Sequence, residues 1–356
     1  MPDFVNRNIN IFSSVLAIIS GLIFGLIIMF ITNPVDTPSA FITIITGGFQ
    51  EGLESISRVL YYATPIILTG LSVGFAFKTG LFNIGASGQV MLGAFTSIYI
   101  GVKWTHLGSI QWLVALFFAG VAGSIWALLP GILKAYRSVH EVVSTIMMNY
   151  IGLYLVIYLI KLTVFNRAKN ETYYVNSNAV IPVLKLGNLS ISYGFIIALL
   201  VVIIINILLN KTTFGYELKA VGFNKEASIY AGINAKKNII FSLLISGFLS
   251  GLAGGIIYLN NIGRALEVVD VLVPEGFTGI PVALIGLSNP IGILFAGLFM
   301  GYITLGGFYM QIYNFAPEII DVIIASIIYF SALVVLFREI IIRISKRKSK
   351  RGDSSG

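Results

Sequence analysis

The sequence has no cysteine and little charge: only 11% of its 356 residues are Asp, Glu, Lys or Arg. A soluble domain carries about a quarter charged residues. The missing cysteines exclude disulfides, thiolate metal sites and a cysteine nucleophile. What remains is 57% hydrophobic, with a mean hydropathy of +0.92. This composition is typical of a multi-pass membrane protein.

Catalytic motifs are missing as well. The sequence has no G-x-x-x-x-G-K-[ST] phosphate-binding loop, and it has only two histidines, His106 and His140. No paired carboxylates or nucleophile–base sets can be assembled within an apolar run. We therefore predict that the chain is not an enzyme, binds no cofactor of its own and holds no metal. The scarcity of ionisable residues in the apolar runs also argues against proton coupling, whereas sodium coupling stays open.

The net charge of +8 does not indicate nucleic-acid binding, because much of it lies in one short segment. This segment, "KRKSKR" at 346–351, follows an apolar run. A basic segment in that place is typical of a cytoplasmic anchor. We predict a basic cytoplasmic tail over 346–356 and no nucleic-acid partner.

Apolar runs predict an all-α integral membrane protein with about ten transmembrane or partly re-entrant helices, in one transmembrane domain over 1–345. A span needs about 20 apolar residues. The predicted spans are 9–32, 59–78, 84–102, 112–133, 142–164, 191–209, 238–259, 276–289, 290–310 and 319–337. The third and the eighth are short or rich in glycine, so these two are the candidates for re-entrant segments.

Lysine and arginine placement predicts the orientation. The segment 211–237 carries five lysines and should be cytoplasmic, whereas 33–57 has three acidic residues and no Lys or Arg and should be outside. With ten spans, both termini are then cytoplasmic, and the polar segment 165–190 is external.

Glycines recur at a spacing of four residues, as in the pairs Gly21/Gly25 and Gly247/Gly251. Small residues at this spacing let helix backbones approach closely. Two glycine-rich stretches, "GLFNIGASGQVMLGAF" and "GFTGIPVALIGLSNPIGILFAG", also resemble each other loosely. They leave open an internal two-fold repeat with paired broken helices, which would point to a transport pathway.

The segment 212–238 is too polar to span, and it predicts a short helix over 225–231. Asn224 can cap this helix, Glu226 suits its first turn and Gly232 can end it. The helix should bury Ala227, Ile229, Tyr230 and Ala231. Its apolar face could lie on the membrane surface or against a partner protein.

Four blocks in order resemble one family. They are "ATPIILTGLSVGFAFKTGLFNIGASGQVMLGAF", "HEVVSTIMMNYI", "TTFGYELKAVGFNKEASIYAGINAKKNIIFSLLISGFLSGLAGGI" and "GFTGIPVALIGLSNPIG". They resemble the membrane permeases of nucleoside-type ABC importers, which work with lipoprotein receptors of the basic-membrane-protein type. These permeases belong to the wider group of ribose and branched-chain amino-acid permeases. The resemblance covers roughly Ala63 to Gly301.

The resemblance implies several partners. They are a second, homologous permease subunit, a cytoplasmic ABC ATPase that uses ATP and Mg, and an extracytoplasmic lipoprotein receptor for the substrate. The segment 212–238 then becomes the coupling loop that docks on the ATPase. The residues predicted to serve this contact are Gly222, Glu226, Ala227, Tyr230 and Gly232, with the two glycines shaping the turns on either side of the helix.

Uncharged polar residues within the apolar blocks are the candidates for a substrate pathway. A nucleoside is neutral and rich in donors and acceptors, so carboxamides, hydroxyls and an aromatic face suit it. The candidates are Phe82, Asn83, Gln89, Thr145, Asn149 and Thr278. The alternative is that these carboxamides only join helices. Ser246 and Ser250 could bond back to their own helix.

Other functions remain open at this stage. The same machinery could serve a simple sugar or a branched-chain amino acid, since both suit a largely uncharged path. An ion-coupled secondary carrier would need no ATPase. A membrane scaffold without a transport role would tolerate leucine at the polar positions.

Overall fold

The computed structural model describes residues 9–260, 263–316, 318–334 and 336–343. It is an all-α fold, as the sequence predicts, and it also has two small β-hairpins at one end. Within the described residues the helices are α1 Ile9–Thr32, α2 Thr37–Thr46, α3 Leu53–Lys78, α4 Ala86–Lys103, α5 Gln111–Arg137, α6 Glu141–Thr163, α7 Tyr193–Lys211, α8 Thr213–Phe223, α9 Lys225–Tyr230, α10 Ala235–Tyr258, α11 Glu275–Ile285, α12 Pro290–Met310 and α13 Glu318–Ala332. The predicted basic tail, 346–356, lies outside the described residues.

Seven helical segments of the described chain are long and apolar enough to cross a membrane. They are Phe12–Thr32, Leu53–Lys78, Thr105–Arg137, Glu141–Thr163, Tyr193–Lys211, Ala235–Tyr258 and Pro290–Tyr313. The other three predicted spans are also helical but shorter: α4 has 18 residues, α11 has 11 and α13 has 15 described residues. At 1.5 Å per residue, α11 extends only about 16 Å, roughly half of a bilayer core. This length is too short for a full crossing and suits the re-entrant character predicted for the eighth span.

Helices α3 and α10 form the centre of the bundle. Of their most apolar 18-residue windows, 78% and 72% of residues are buried, against 22% in α1 and 28% in α7. Helices α1 and α7 thus present most of their apolar surface outward, where a membrane would cover it. The central pair carries the polar side chains that define the candidate site.

Glycine permits the closest helix crossings, as its spacing predicts. A Cβ placed on Gly247 of α10 would lie 2.4 Å from the Gly123 carbonyl oxygen of α5, and one on Gly251 would lie 2.2 Å from the Ala119 carbonyl oxygen. No side chain fits at such distances, so both positions require glycine. The backbones of α5 and α10 are therefore in direct contact.

The two ends of the bundle differ. One end, called here the hairpin end, carries β1 Phe165–Asn166 paired with β2 Glu171–Thr172, and β3 Val183–Leu186 paired with β4 Leu189–Ser192. The last turn of α10 lies there, because the Ile181 amide donates to the Leu259 carbonyl at 2.8 Å. The opposite end carries α8 and α9 and is called the α8–α9 end.

The sequence analysis missed two helices. Helix α2 lies in the segment 33–57, which was predicted to be external without a helix. Pro38 in the first turn of α2 favours a helix start. Helix α8 lies in the segment assigned a single short helix. Thr212 caps α8 by accepting a hydrogen bond from the Gly215 amide at 3.1 Å. Gly215 and Gly222 lower the intrinsic helix propensity of this segment, which explains why its pattern did not predict a helix.

Candidate functional site

The chain turns back inside the bundle between α3 and α4. Ser72 of α3 and Asn83 of the turn both bond the Ser246 hydroxyl, at 2.8 and 2.7 Å. Ser246 lies roughly 16 Å along α10 from its first residue, at the helical rise of 1.5 Å. The turn over 79–85 is therefore well inside the bundle, and α4 begins there rather than at the bundle's end. This agrees with the re-entrant character predicted for the third span.

Two carboxamides bond each other at this turn. Asn83 Nδ2 donates to Gln89 Oε1 at 3.0 Å, and Gln89 Nε2 donates to Asn83 Oδ1 at 3.2 Å. Asn83 Oδ1 also accepts from the Gly85 amide at 3.0 Å. Together with the bond to Ser246, this fills both donors and both acceptor positions of Asn83. Both side chains are fully buried.

Asn149 ties α6 to the same turn. Its Oδ1 accepts from the Gly88 amide at 2.8 Å, and its Nδ2 donates to the Ile84 carbonyl at 3.0 Å. The N-cap residue of α4, Gly85, has no side chain with which to cap the helix. Asn149 therefore supplies from a neighbouring helix the acceptor that an Asn or Ser N-cap supplies locally.

Serine hydroxyls extend the network along α3 and α10. Ser250 Oγ donates to Ser72 Oγ at 2.7 Å, and Thr79 Oγ1 donates to Ser242 Oγ at 2.8 Å. Ser246 and Ser250 thus bond across to α3. The expectation that they bond back to their own helix was wrong, because α3 passes close enough to offer a better-placed partner. The whole network is uncharged.

The second glycine-rich stretch meets the first one here. Ser87 Oγ donates to the Val273 carbonyl at 2.7 Å, and a Cβ on Gly276 would lie 2.3 Å from the Ser87 Cα. The N-termini of α4 and α11 are therefore in contact inside the bundle, and we call this contact the helix junction. Paired broken helices of this kind mark the binding region in many transporters. The two-fold repeat itself stays a prediction.

The remaining pathway candidates make local contacts. Phe82 packs on Phe77 with ring centroids 5.2 Å apart. Thr145 Oγ1 donates to the Glu141 carbonyl at 2.8 Å, and Thr278 Oγ1 donates to the Glu275 carbonyl at 2.9 Å.

The two cavities described below are lined by residues other than these six candidates. The arrangement agrees with the packing alternative in this conformation. Their contact with a substrate stays a prediction.

The α9 helix has the caps that the sequence predicts. Asn224 Oδ1 accepts from the Ala227 amide at 3.0 Å, and Gly232 follows the helix with φ of +84°. Within this chain α9 buries Ser228 and leaves Tyr230 93% exposed. Burial of its apolar side chains against the membrane surface or a partner protein therefore stays a prediction.

Together α8 and α9 form a groove of about 690 Å³. It is lined by Thr213, Tyr216, Glu217, Ala220, Phe223, Asn224, Ala227, Ser228, Ala231 and Ile233. Phe223 on its rim is 91% exposed. Phe223 and Tyr230 are thus two highly exposed aromatic side chains next to a groove, which is typical of a protein-binding surface.

Gly222 has a different place from the predicted one. It lies within α8 rather than in a turn, and a Cβ there would be 2.5 Å from the Lys78 carbonyl oxygen and 3.0 Å from the Gly80 amide nitrogen. Gly80 has φ of +71° and starts the turn to the carboxamides. The backbone of α8 thus rests directly on the turn that leads to the helix junction.

At the hairpin end lies an ion pair that the sequence analysis missed. Arg264 Nη1 is 2.6 Å from Glu275 Oε1, and Arg264 Cζ lies 5.4 Å from the centre of the Tyr258 ring. Burial alone would lower the pKa of the Arg264 guanidinium, but the Glu275 carboxylate raises it above its ordinary value. Glu275 opens α11, so the ion pair sits directly beside the helix junction. Arg264 follows "NNIG", with no motif to mark it.

An apolar helical bundle with a neutral polar junction inside it, and exposed helices at one end, is the architecture of a multi-pass membrane transport protein. The family described as "Branched-chain amino acid transport system / permease component" matches residues 55–332. The chain belongs to this permease family, and the resemblance given by its sequence blocks is confirmed.

Three relatives are similar over much of their length. The guanosine ABC transporter permease protein NupP of Bacillus subtilis (strain 168) is 37% identical, over 96% of this chain and 99% of its own. The nucleoside ABC transporter permease protein NupB of Lactococcus lactis subsp. cremoris (strain MG1363) is 34% identical, over 98% and 100%. A second guanosine permease protein of the same Bacillus strain, NupQ, is 30% identical over 69% and 79%. The comparison with solved structures gave no match.

Proposed function

We propose that this chain is a permease subunit of an ATP-driven importer and that its substrate is a nucleoside. The observation that carries the proposal is the near full-length similarity to NupP and NupB, whose names state guanosine and nucleoside transport. The uncharged hydrogen-bonding groups at the helix junction support it. A neutral ligand with many donors and acceptors can exchange hydrogen bonds with hydroxyls and carboxamides, whereas an ion would need a charged partner.

The pathway in this proposal opens at the helix junction. Asn83, Gln89 and Asn149 would exchange their present partners for substrate groups when the bundle opens beside the junction, with Thr145, Thr278 and Phe82 lining the opening. The hydrogen bonds of this carboxamide network are neutral and each contributes only about 0.5–1.5 kcal/mol. A partner that supplies the energy of ATP hydrolysis could break several of them together.

The proposed partners are a second permease, an ATPase and a receptor. The chain matches two guanosine permease proteins of one Bacillus strain, NupP and NupQ, which supports a pairing with a second, homologous permease. A cytoplasmic ATPase would bind the α8–α9 groove, at the end of the bundle where lysines concentrate, and a lipoprotein receptor would deliver substrate at the hairpin end. Both termini would be cytoplasmic, and ATP and Mg would be used only by the ATPase.

Uptake in intact cells tests the proposal. A strain lacking this chain should lose accumulation of radiolabelled guanosine, and the gene on a plasmid should restore it. ATP depletion should abolish uptake, whereas collapse of the ion gradients with ATP held constant should leave it in place. The reverse pattern would identify an ion-coupled carrier. Guanosine accumulation by the purified chain alone in liposomes would also contradict the proposal.

The second candidate substrate is a branched-chain amino acid, which the description of the family favours. An amino acid is a zwitterion, and the junction offers it no charged group among the described residues of the network. Unlabelled leucine and glucose in the uptake assay separate the candidates. We expect neither to compete with guanosine. Competition by leucine would favour the amino acid, and competition by glucose would favour a sugar.

A further inference from the structure

A small cavity lies at the hairpin end, beside the helix junction. Its volume is about 200 Å³, and its lining includes Met91 of α4, Tyr258 of α10, Arg264, Glu267 and apolar residues between 265 and 274. The next residue, Glu275, begins α11, whose Gly276 packs on Ser87. The cavity, called here the Arg264 cavity, therefore lies directly on the hairpin-end side of the point where α4 and α11 meet.

Arg264 has hydrogen-bonding capacity left over. A guanidinium has five N–H groups, and Glu275 is the one described residue that accepts a hydrogen bond from Arg264. The side chain is 48% exposed and lines the cavity. The Tyr258 ring behind the planar guanidinium, with 5.4 Å between Cζ and the ring centre, holds its orientation. Ordered donors that face a cavity are suited to acceptor atoms of a ligand.

The ion pair also determines which ligand charge the cavity favours. Glu275 cancels the charge of Arg264 at a distance of 2.6 Å, so an anion gains little there. Glu275 Oε2 is buried and has no hydrogen-bond partner within the part of the chain that the structure describes. Within the described chain, Arg264 is thus the one residue that donates a hydrogen bond to the Glu275 carboxylate.

We infer that Arg264 is a substrate-binding residue of the permease, whose free N–H groups donate to acceptor atoms of a neutral nucleoside, and that Glu275 is a positioning residue that neutralises the guanidinium. This inference rests on the proposed function and names the recognition step within it. A nucleobase offers ring nitrogens and carbonyl oxygens in a plane, which the planar guanidinium can engage with two parallel hydrogen bonds. The site precedes the helix junction on the way from the hairpin end.

The test measures ligand binding by the purified complex of both permeases and the ATPase, without the receptor. Guanosine should raise the unfolding temperature of the wild-type complex in a saturable way, and guanosine monophosphate should not. Arg264→Gln should raise the half-maximal guanosine concentration at least about tenfold, since hydrogen bonds to charged groups contribute about 1.5–3 kcal/mol. Arg264→Lys, which keeps the ion pair but loses the fork, should show a smaller rise.

Glu275→Gln separates recognition from a structural role. It leaves the Arg264 charge uncompensated, so guanosine monophosphate should now stabilise the complex. A purely structural ion pair would lower the unfolding temperature without ligand and would not change ligand preference. Glu51→Gln is the matched control, because Glu51 pairs with Arg58 at 3.2 Å at the same end, and it should change neither.

The outcomes are distinguishable. If wild-type cells do not accumulate guanosine, the proposed function fails. If they do, but Arg264→Gln binds guanosine as the wild type does, or Glu51→Gln gains the monophosphate response, the inference about Arg264 is overturned while the function stands.

Discussion

The helix junction and the α8–α9 groove differ in whether their side chains have partners within this chain. At the junction every polar atom of Asn83 has a protein partner, and the side chain is fully buried. At the α8–α9 end, by contrast, Phe223 on the rim of the groove and Tyr230 of α9 are more than nine-tenths exposed. A closed network needs nothing further to be stable in this conformation, whereas exposed aromatic side chains lower the free energy when a partner covers them. The comparison indicates which region is complete within this chain and which region is suited to bind another protein.

Ala227→Glu should have the largest effect, because Ala227 lines the α8–α9 groove, where we propose that the ATPase binds. The change places a charge in the groove, where an unpaired desolvated charge costs several kcal/mol. We expect loss of the ATPase in detergent pull-down and loss of uptake, with normal membrane abundance because the helix lies outside the bundle. Ala227→Ser is the control of similar size and should retain both. Normal transport by Ala227→Glu with the ATPase bound would show that the groove is not the coupling surface.

Asn83→Leu addresses the other side of the comparison. It removes a hydrogen-bond partner from the Gly85 amide, the Gln89 carboxamide and the Ser246 hydroxyl. Each buried group left unsatisfied costs about 1–3 kcal/mol. We expect the thermal unfolding temperature of the purified permease to fall together with uptake, while the ATPase still binds. Loss of uptake at an unchanged unfolding temperature would instead indicate that Asn83 acts by contact with substrate. Wild-type values for both would contradict any role.

Gly222→Ala tests whether the two regions are mechanically connected. Its Cβ would lie 2.5 Å from the Lys78 carbonyl, so α8 must shift away from the turn that leads to the junction. Overpacking of this kind costs about 1–3 kcal/mol. We expect the ATPase to bind and hydrolyse ATP while guanosine uptake falls several-fold, which measures lost coupling. Gly232→Asn is the control, since Gly232 has open space around it and Asn tolerates its positive φ.

Thr278→Val should have the smallest effect. The hydroxyl donates to the Glu275 carbonyl of its own helix at 2.9 Å, and the loss of such a bond costs less than about 1 kcal/mol. Uptake should stay within about twofold of wild type if Thr278 serves packing alone. A larger decrease with an unchanged unfolding temperature would place Thr278 in contact with the substrate.

Regular apolar runs and local capping patterns were readable in the sequence. They predicted all the described helices except α2 and α8, the interrupted third span, the Asn224 cap and the glycine contacts, because each depends on residues within a few positions of one another. The ordered motif blocks identified the permease family. The glycine-containing helix α8 escaped the same reasoning, since contacts with α3 and α10 stabilise it against its own propensity.

Tertiary structure alone decided which residues meet. The sequence provided Asn83, Gln89 and Asn149 as polar residues in apolar runs, but it could not indicate that Asn149 caps a helix from 61 positions away. Nor could it bring Arg264 to Glu275 over Tyr258, since no spacing rule relates a loop arginine to the ring of a preceding helix. Local sequence fixes the conformation of a segment because the forces act between near neighbours. The composition of a site depends on the packing of the whole bundle, which joins residues that the chain keeps far apart.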